Sequence, residues 1–256
     1  MSHPLFNDLG GLRFWRQDEI RLRNRIKDAL VDCVQTTLLD MNQMWRFEEV
    51  DTPVLMPRDL FSCAYDDADV FTLRDEIGGK AFALRAETTI GSYRMAEMLF
   101  RSTNSKPPFC VYTMGQSFRQ ERSDGATAAK LRFNSFYQLE FQCIYAKPYE
   151  DENGKKQGTH APIPETLREA LVKEVAKLTG LETRLVPSDR LPSYSEETID
   201  IEVLWQSPTA SEPEWKEVAS TSIRTDFPEV PSMKPNRVFE VAFGACRMVA
   251  VAKGKV

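Results

Sequence analysis

Two arginines, a glutamate and a phenylalanine lie on either side of a small, polar segment within residues 117–142. Arg119 and Glu121 end one apolar run, while Arg132 and Phe136 begin the next. Because side chains of a strand alternate with a period of two, pairing of the two runs would place all four on one face. Guanidinium groups suit phosphate oxygens, and a flat ring suits a nucleobase. The stretch predicts a β-hairpin that binds a nucleotide; the alternative is a solvent-exposed face with salt bridges and a core phenylalanine.

Amphipathic helices are predicted on either side of this hairpin. Apolar residues recur at helical spacing over the ranges 19–45, 90–101 and 164–178. An early proline and Gly180 just past the end support the third range. A last helix is expected to begin near Gly244.

Short apolar runs rich in β-branched and aromatic residues predict the strands that hold the hairpin. They cover the ranges 47–55, 109–114, 133–145, 198–205, 215–220 and 238–242. Pro53 makes the first an edge strand or an interface strand, Gly78 and Gly79 mark the turn of another hairpin, and 147–162 is expected to be a surface loop. The predicted fold class is α+β, with helices flanking an antiparallel β-sheet.

The composition argues against several classes of function. Of 256 residues, 42% are apolar and 28% charged; no apolar run could cross a membrane, and the first residues lack the order of a signal peptide, so we expect a cytoplasmic protein. A net charge of −5 argues against coating of nucleic acid by bulk electrostatics. The only histidines, His3 and His160, lie in predicted loops, which argues against histidine catalysis. The five cysteines form neither a disulfide framework nor a C-x-x-C zinc pattern.

Three stretches, in order along the chain, resemble the three motifs of the class II aminoacyl-tRNA synthetases. The sequences "FRQE" at 118–121 and "RFNSF" at 132–136 match motif 2. The helix that ends in "FEEVDTPVLMPRDLF" resembles motif 1, whose proline falls on Pro53, and "FEVAFGACRMVAVA" resembles motif 3, whose arginine falls on Arg247. The resemblance implies a single catalytic domain over 1–256, with motifs 1, 2 and 3 at about 19–58, 115–145 and 237–253.

Two further stretches resemble one subgroup of that family. "FTLRDEIGGKAFALRAETT" is similar to the "LRPE" segment of the glycyl, histidyl, prolyl and threonyl enzymes. "IDIEVLWQSPTASEPEWKEVASTSIRTDF" resembles an acidic strand and Trp-x-Glu segment of the seryl type. The glycyl and seryl enzymes are therefore the nearest types, and the amino acid is expected to be small.

The resemblance implies that the chain activates an amino acid with ATP and Mg²⁺, forming an aminoacyl-adenylate. Arg119 and Arg247 would be catalytic. The implied ATP-binding residues are Arg119, Glu121, Arg132, Phe136, Glu217, Ser220 and Arg247. Glu217 and Ser220 would also ligate Mg²⁺, and the implied amino-acid-binding residues are Glu87, Thr88 and Glu240.

Some positions depart from the family pattern. Ala86 replaces the proline of "LRPE", Ser135 and Asn134 stand where the glycyl type has a glutamate and an arginine, respectively, and Ala245 stands where glycine is commoner. These changes affect the expected amino acid more than the ATP chemistry. Cys143 and Cys246 are interpreted as small core residues, with a zinc site as the alternative.

Three functions follow from the resemblance, together with a homodimer built on motif 1. The first is a ligase that passes the activated amino acid to a carrier or another macromolecule. The second is a minimal aminoacyl-tRNA synthetase that recognises the acceptor stem, and the third is a catalytically silent paralogue that binds ATP or tRNA as a regulatory subunit. The expected absence of an anticodon-binding domain favours the first.

Overall fold

In a computed structural model of the protein, the described residues form four α-helices and eleven strands. The structure describes residues 12–41, 44–61, 65, 67–103, 107–121, 131–147, 149–150, 152–157, 162–189, 191–208, 210–227 and 236–253. The helices are α1 Gln17–Asp40, α2 Thr89–Thr103, α3 Ile163–Thr179 and α4 Ala245–Ala252. The strands are β1 Arg46–Glu49, β2 Leu55–Pro57, β3 Phe82–Leu84, β4 Phe109–Phe118, β5 Ser135–Ala146, β6 Tyr149–Glu150, β7 Lys156–Gln157, β8 Thr183–Pro187, β9 Ser195–Trp205, β10 Glu214–Arg224 and β11 Asn236–Gly244.

One seven-stranded sheet organises the molecule, with the strand order β1-β4-β5-β11-β10-β9-β8. Every neighbouring pair is antiparallel except β1 with β4, which is parallel. The α+β prediction is confirmed, and β1 is at the sheet edge as Pro53 indicated. Pro53 itself follows β1 and lies outside it. No helix in the described part of the chain is both long and apolar enough to span a membrane.

The first helix packs one apolar stripe into the main hydrophobic core, where it contacts α3 and α4. Its buried residues recur every four positions from Leu22 to Leu38, and Glu19 accepts a hydrogen bond from the Arg16 backbone at its start. The predicted range of 19–45 was too long, because the helix ends at Asp40. Trp45 continues the apolar spacing, but its ring stacks on Phe47 as the chain enters β1. Apolar periodicity alone does not distinguish a last helical residue from an apolar residue, such as Trp45, that lies just beyond the helix end.

The central hairpin pairs β4 with β5 from Phe109 opposite Ile144 to Phe118 opposite Ser135. Both strands carry continuous buried runs because both of their faces are covered. On β4, Cys110 and Tyr112 pack in the cluster that contains α1, α3 and α4, whereas Phe109 and Val111 pack with α2. The sequence-predicted strands near 109–114 and 133–145 are confirmed, with β4 four residues longer. The predicted loop of this hairpin, 122–130, lies outside the described residues, as do His3 and His160.

The other predicted elements are confirmed with shifted ends. Gly180 adopts the left-handed conformation that closes α3, with φ of 62°. Gly78 and Gly79, also at positive φ, form a turn closed by Ile77 and Lys80. Two features were missed: the 147–162 loop contains the small β6–β7 pair, and β8 forms the far edge of the sheet. Edge strands such as β8 are partly exposed and lack a continuous apolar run, so their sequence signal is weak.

Candidate active site

A cavity of about 680 Å³ opens over strands β5, β11 and β10. Two small residues at its floor, Ser220 on β10 and Ala242 on β11, pair in register and leave this space. Ala242 also pairs in register with Glu140 on β5. The structure brings nine of the ten sequence-predicted residues to its walls: Glu87, Arg119, Glu121, Arg132, Phe136, Glu217, Ser220, Glu240 and Arg247. The tenth, Thr88, is fully buried behind the wall, where its hydroxyl donates to Glu140.

Arg119 connects the two ends of this cavity. It follows directly after β4, and its backbone N–H donates to the Asn134 carbonyl 3.1 Å away. The guanidinium carbon lies 5.3 Å from the centre of the Phe136 ring, a cation–π distance. On the other side, Nη2 donates to the Tyr65 hydroxyl at 2.9 Å, and Nε donates to the Ala86 carbonyl at 3.1 Å.

The hairpin's outer end carries the other two predicted motif 2 residues. The Arg132 guanidinium lies 3.7 Å from a Glu121 carboxylate oxygen, and the Arg132 side chain is about half exposed. The Asn134 side chain accepts a hydrogen bond from the Glu121 backbone at 2.8 Å. Asn134, a departure from the glycyl pattern, therefore holds the end of the hairpin in place. The salt bridge of the alternative interpretation is present, but it lies on the wall of a cavity.

A β-bulge decides the position of Glu217 and Ser220. In a regular strand residues three apart point to opposite faces. The pairing of β10 with β9 shifts register between Glu217 and Ala219, and both Glu217 and Ser220 line the cavity. Glu217 Oε1 lies 2.9 Å from Arg247 Nη1. An ion pair thus joins Arg247, at the start of α4, to Glu217 on β10 across the cavity.

Three carboxyl groups of the cavity, those of Glu87, Glu140 and Glu240, lie at the end beyond Arg119. Tyr65 donates to Glu87 Oε2 at 3.0 Å. Arg224 Nη1 donates to both Glu240 oxygens at 3.0 and 2.9 Å, and its Nη2 lies 3.9 Å from Glu87 Oε1. The Tyr194 ring covers the Arg224 guanidinium at 3.8 Å. This end presents negative charge around one buried cation.

Burial and mutual repulsion perturb the acids of this cluster. Burial, together with the neighbouring carboxylates Glu240 and Glu87, raises the pKa of Glu140 to about 8. Burial also raises the pKa of Glu87 above its usual value, although Arg224 opposes that shift. Burial and the nearby Glu87 raise the pKa of Tyr194, so its phenol stays neutral.

Sequence reasoning missed Glu140, Arg224, Tyr65 and Tyr194. A signal for Glu140 was available, because Phe136, Gln138, Glu140 and Gln142 alternate with apolar residues along β5. Polar residues on one face of an otherwise buried central strand are typical of a functional site. No local signal distinguishes Tyr65 or Arg224, since both reach the cluster through tertiary packing.

The two cysteines considered as zinc ligands are core residues. Cys143 and Cys110, both fully buried, face each other across β4 and β5 with sulfurs 3.6 Å apart. Cys246 Sγ accepts a hydrogen bond from the Tyr137 backbone at 3.2 Å. Within the described ranges no three His, Cys, Asp or Glu side chains group to hold a metal ion.

Comparison with known proteins relates this geometry to tRNA ligases. No family model matches the chain. It is 28% identical over 144 residues to a glycine–tRNA ligase of Corynebacterium glutamicum, a match covering 56% of this chain and 29% of that protein. A glycine–tRNA ligase of Streptomyces coelicolor is 29% identical over 156 residues, a match that covers 58% of this chain and 30% of that protein. The matches thus span under a third of the length of these relatives.

Two solved structures with the same fold are those of serine–tRNA ligases. Cytoplasmic serine–tRNA ligase from Naegleria fowleri in complex with AMP superposes with a TM-score of 0.62 at 15% identity, covering 94% of this chain and 50% of that one. M. kandleri SerRS, solved with A. aeolicus tRNASec, superposes with a TM-score of 0.63 at 17% identity. The match covers 94% of this chain and 53% of that one. The chain therefore has the fold of a class II aminoacyl-tRNA synthetase-like catalytic core.

Proposed function

We propose that the chain activates a small amino acid with ATP and passes it to an acceptor. The observation that carries the proposal is the position of Arg119, between the Phe136 ring and the Tyr65–Glu87 hydrogen bond. In amino-acid activation a carboxylate oxygen bonds to the α-phosphorus of ATP, and the bond from that phosphorus to the pyrophosphate oxygen breaks. A cation between the two substrates neutralises both reacting groups and aligns them.

The nucleotide belongs at the Phe136 end of the cavity in this proposal. The Phe136 ring would stack on the base, and the Glu121 carboxylate would accept from the adenine amino group. Arg132 and Arg247 lie on the same walls and would bind the outer phosphates. Their ion pairs with Glu121 and Glu217 hold the two guanidinium groups at the cavity in the ligand-free protein.

The ammonium group of the amino acid belongs among the carboxylates. Glu87 Oε1 and Gln138 Oε1 are buried, lie in residues that line the cavity, and lack hydrogen-bond partners within the described structure. An ammonium group offers three N–H donors, and buried acceptors without a donor are costly. The fully buried residues Thr88, Thr89 and Gln142 contact the Glu140 and Glu240 carboxyl groups, and this closed end favours a small side chain in the proposal.

The residues present also fit a magnesium ion held jointly with phosphates. Mg²⁺ prefers oxygen ligands and commonly takes one or two carboxylates, the rest coming from phosphate and water. Glu217 and Ser220 line the cavity, and Ser220 pairs in register with Asp200 on β9. Glu217 and Ser220 would hold the ion, which when bound neutralises phosphate charge.

Two observations bear on the amino acid and the acceptor. The relatives named above are glycine–tRNA ligases, so glycine is the first substrate to test and the tRNA acceptor stem is one candidate acceptor. A carrier or another macromolecule is the other. The silent-paralogue alternative predicts no activation at all, although it permits ATP or tRNA binding.

Amino-acid-dependent exchange between ATP and pyrophosphate tests the proposal directly. The assay uses the chain with Mg²⁺ and each of the twenty amino acids, without tRNA, and repeats with tRNA. Exchange with glycine or one other small amino acid supports activation and names the substrate. Absence of exchange under both conditions, in protein shown to be folded by circular dichroism, overturns the proposal and favours the silent paralogue.

A further inference from the structure

Three carboxyl groups meet at the closed end of the pocket. Glu87 precedes α2, Glu140 lies on β5 and Glu240 lies on β11, and each is less than a tenth exposed. Two threonine hydroxyls at the start of α2, from Thr88 and Thr89, connect Glu140 with Glu240. The number of hydrogens available to this network bears on whether one of the carboxyl groups is protonated.

Three hydroxyl–carboxyl contacts are present, but the two hydroxyls supply only two hydrogens. Thr88 Oγ1 contacts Glu140 Oε2. Thr89 Oγ1 lies 3.0 Å from Glu140 Oε2 and 2.8 Å from Glu240 Oε2. A hydroxyl has one donor, so Thr89 can donate to only one of the two carboxyl groups. A hydrogen bond at all three contacts therefore requires a third hydrogen, which a protonated carboxyl group would supply.

The proton belongs to Glu140 rather than to Glu240. Glu240 accepts two hydrogen bonds from the Arg224 guanidinium, and its Oε2 also accepts from the Gln142 amide at 2.8 Å. These donors favour the ionised form of Glu240. With the proton on Glu140, Thr88 donates to Glu140, Glu140 donates to Thr89, and Thr89 donates to Glu240. All three contacts then become hydrogen bonds.

The surrounding charges agree with this assignment. The charged or titratable groups around Glu140 are Glu87, Glu240, Arg85, Arg119, Tyr65 and, through Glu240, Arg224. Two nearby cations bind other groups rather than Glu140: Arg224 donates to Glu240, and Arg85 donates to the Gln116 and Thr52 backbone carbonyls. The raised pKa of Glu140, caused by burial and by Glu240 and Glu87, is consistent with a neutral side chain at pH 7.

We propose that Glu140 is protonated in the ligand-free protein and releases this proton to solvent when the substrate's ammonium group enters the pocket. The inference rests on the proposed function for the identity of the cation. The ammonium group adds the positive charge that stabilises a third carboxylate, so a cation replaces a proton. Glu140 thereby becomes an amino-acid-binding residue that selects charged amines over neutral analogues such as the corresponding hydroxy acid.

Infrared spectroscopy of the ligand-free protein tests the protonation without reference to activity. A protonated carboxyl group has a C=O stretch above the amide band, which shifts in D₂O. We expect such a band at pH 7 in the wild-type chain, its loss in Glu140→Gln, and its disappearance in the wild type as pH rises past about 8. Glu174→Gln, in an exposed ion pair with Lys177, is the matched control and should keep the band. A wild type without the band overturns the proposal.

Calorimetry then tests the exchange. The probe is 5′-O-(glycylsulfamoyl)adenosine, a stable adenylate analogue, titrated at pH 7 in two buffers with different ionisation enthalpies. We expect the wild type to release about one proton more than Glu140→Gln, because a group with a pKa of about 8 is mostly protonated at that pH. Equal proton release on binding overturns the exchange and leaves the proposed function standing. If the infrared band is present but neither the glycyl nor the seryl analogue binds, the proposed function and the exchange fail, while protonation of Glu140 is supported.

Discussion

At the scale of single residues, the site depends on side chains that link two kinds of chemistry. Arg119 lies beside an aromatic ring and donates to a tyrosine that itself donates to Glu87. The guanidinium group is planar and carries several donors, so one side chain can act at both ends of the cavity. Substitution at this position should therefore affect the chemistry more than the fold.

Replacing Arg119 with alanine should lower the rate of ATP–pyrophosphate exchange by roughly 100- to 1000-fold, the usual effect of losing a donor that stabilises developing charge. The measurement is the exchange assay on the folded variant. Arg94→Ala, which removes an exposed arginine paired with Glu97 on α2, is the control and should retain activity. Unchanged exchange in Arg119→Ala would assign the catalysis to other residues.

The buried acid Glu140 should make stability depend on pH. Its ordinary pKa of 4.5 applies to the unfolded chain and a pKa of about 8 to the folded one. Between these values the unfolded state binds fewer protons, so the free energy of unfolding should fall as pH rises, on the order of 1 kcal/mol per pH unit. Glu140→Gln lacks this titration and should give a flatter curve from pH 5 to 8. Urea unfolding of both proteins measures the difference, and parallel curves would contradict the expectation.

At the scale of elements, irregular features place the functional residues. The bulge in β10 moves Glu217 to the same side as Ser220. Arg85, a fully buried residue after β3, donates through Nε to the Gln116 carbonyl on β4 and through Nη1 to the Thr52 carbonyl. This side chain joins the segment that follows β1 to the hairpin strand β4.

Close packing around Arg85 predicts that Gly115 does not tolerate a larger residue. A Cβ atom at Gly115 would lie 2.5 Å from Arg85 Nη2 and 2.7 Å from Thr88 Cγ2. Gly115→Ala should therefore lower the free energy of unfolding by roughly 1–3 kcal/mol, the usual effect of overpacking. Chemical denaturation measures it, with the exposed substitution Glu182→Ala as the control. A stability equal to that of the control would show that Arg85 can move aside.

At the scale of the whole molecule, the edge of the sheet at β1 is the surface most suited to self-association. In the described ranges β1 pairs only with β4, so its other edge carries unpaired backbone groups. Two nearby apolar side chains are exposed, Met44 by 91% and Leu39 by 51%. An exposed apolar surface beside an open strand edge is typical of an interface.

We expect the chain to form a homodimer through α1 and β1. Light scattering coupled to gel filtration should give twice the 29.3 kDa mass of the chain at micromolar concentration. Met44→Asp should weaken the dimer, because a charge would be buried at the interface. Met98→Asp, at another exposed methionine on α2, is the control and should remain dimeric. A wild type of monomer mass would contradict the interface.

Much of this protein was determined by local sequence. The 3.6-residue spacing of α1 and α3, the apolar runs of β4 and β5, and the turn at Gly78 and Gly79 follow from side-chain periodicity and backbone conformation. The motif arginines and Phe136 were identifiable because their types and order were distinctive. These features depend on residues that are near one another in the chain.

Only the tertiary structure showed that Glu140 and Arg224 join the predicted residues at the pocket. Glu140, Glu240 and Arg224 meet because β5, β11 and β10 are neighbours in the sheet, although the chain separates Glu140 from Glu240 by 100 positions. The proposed proton on Glu140 is inferred from the contacts of Thr88 and Thr89, which lie at the start of α2. Strand order and register result from the packing of the whole sheet, so the local periodicity of a single strand does not predict them.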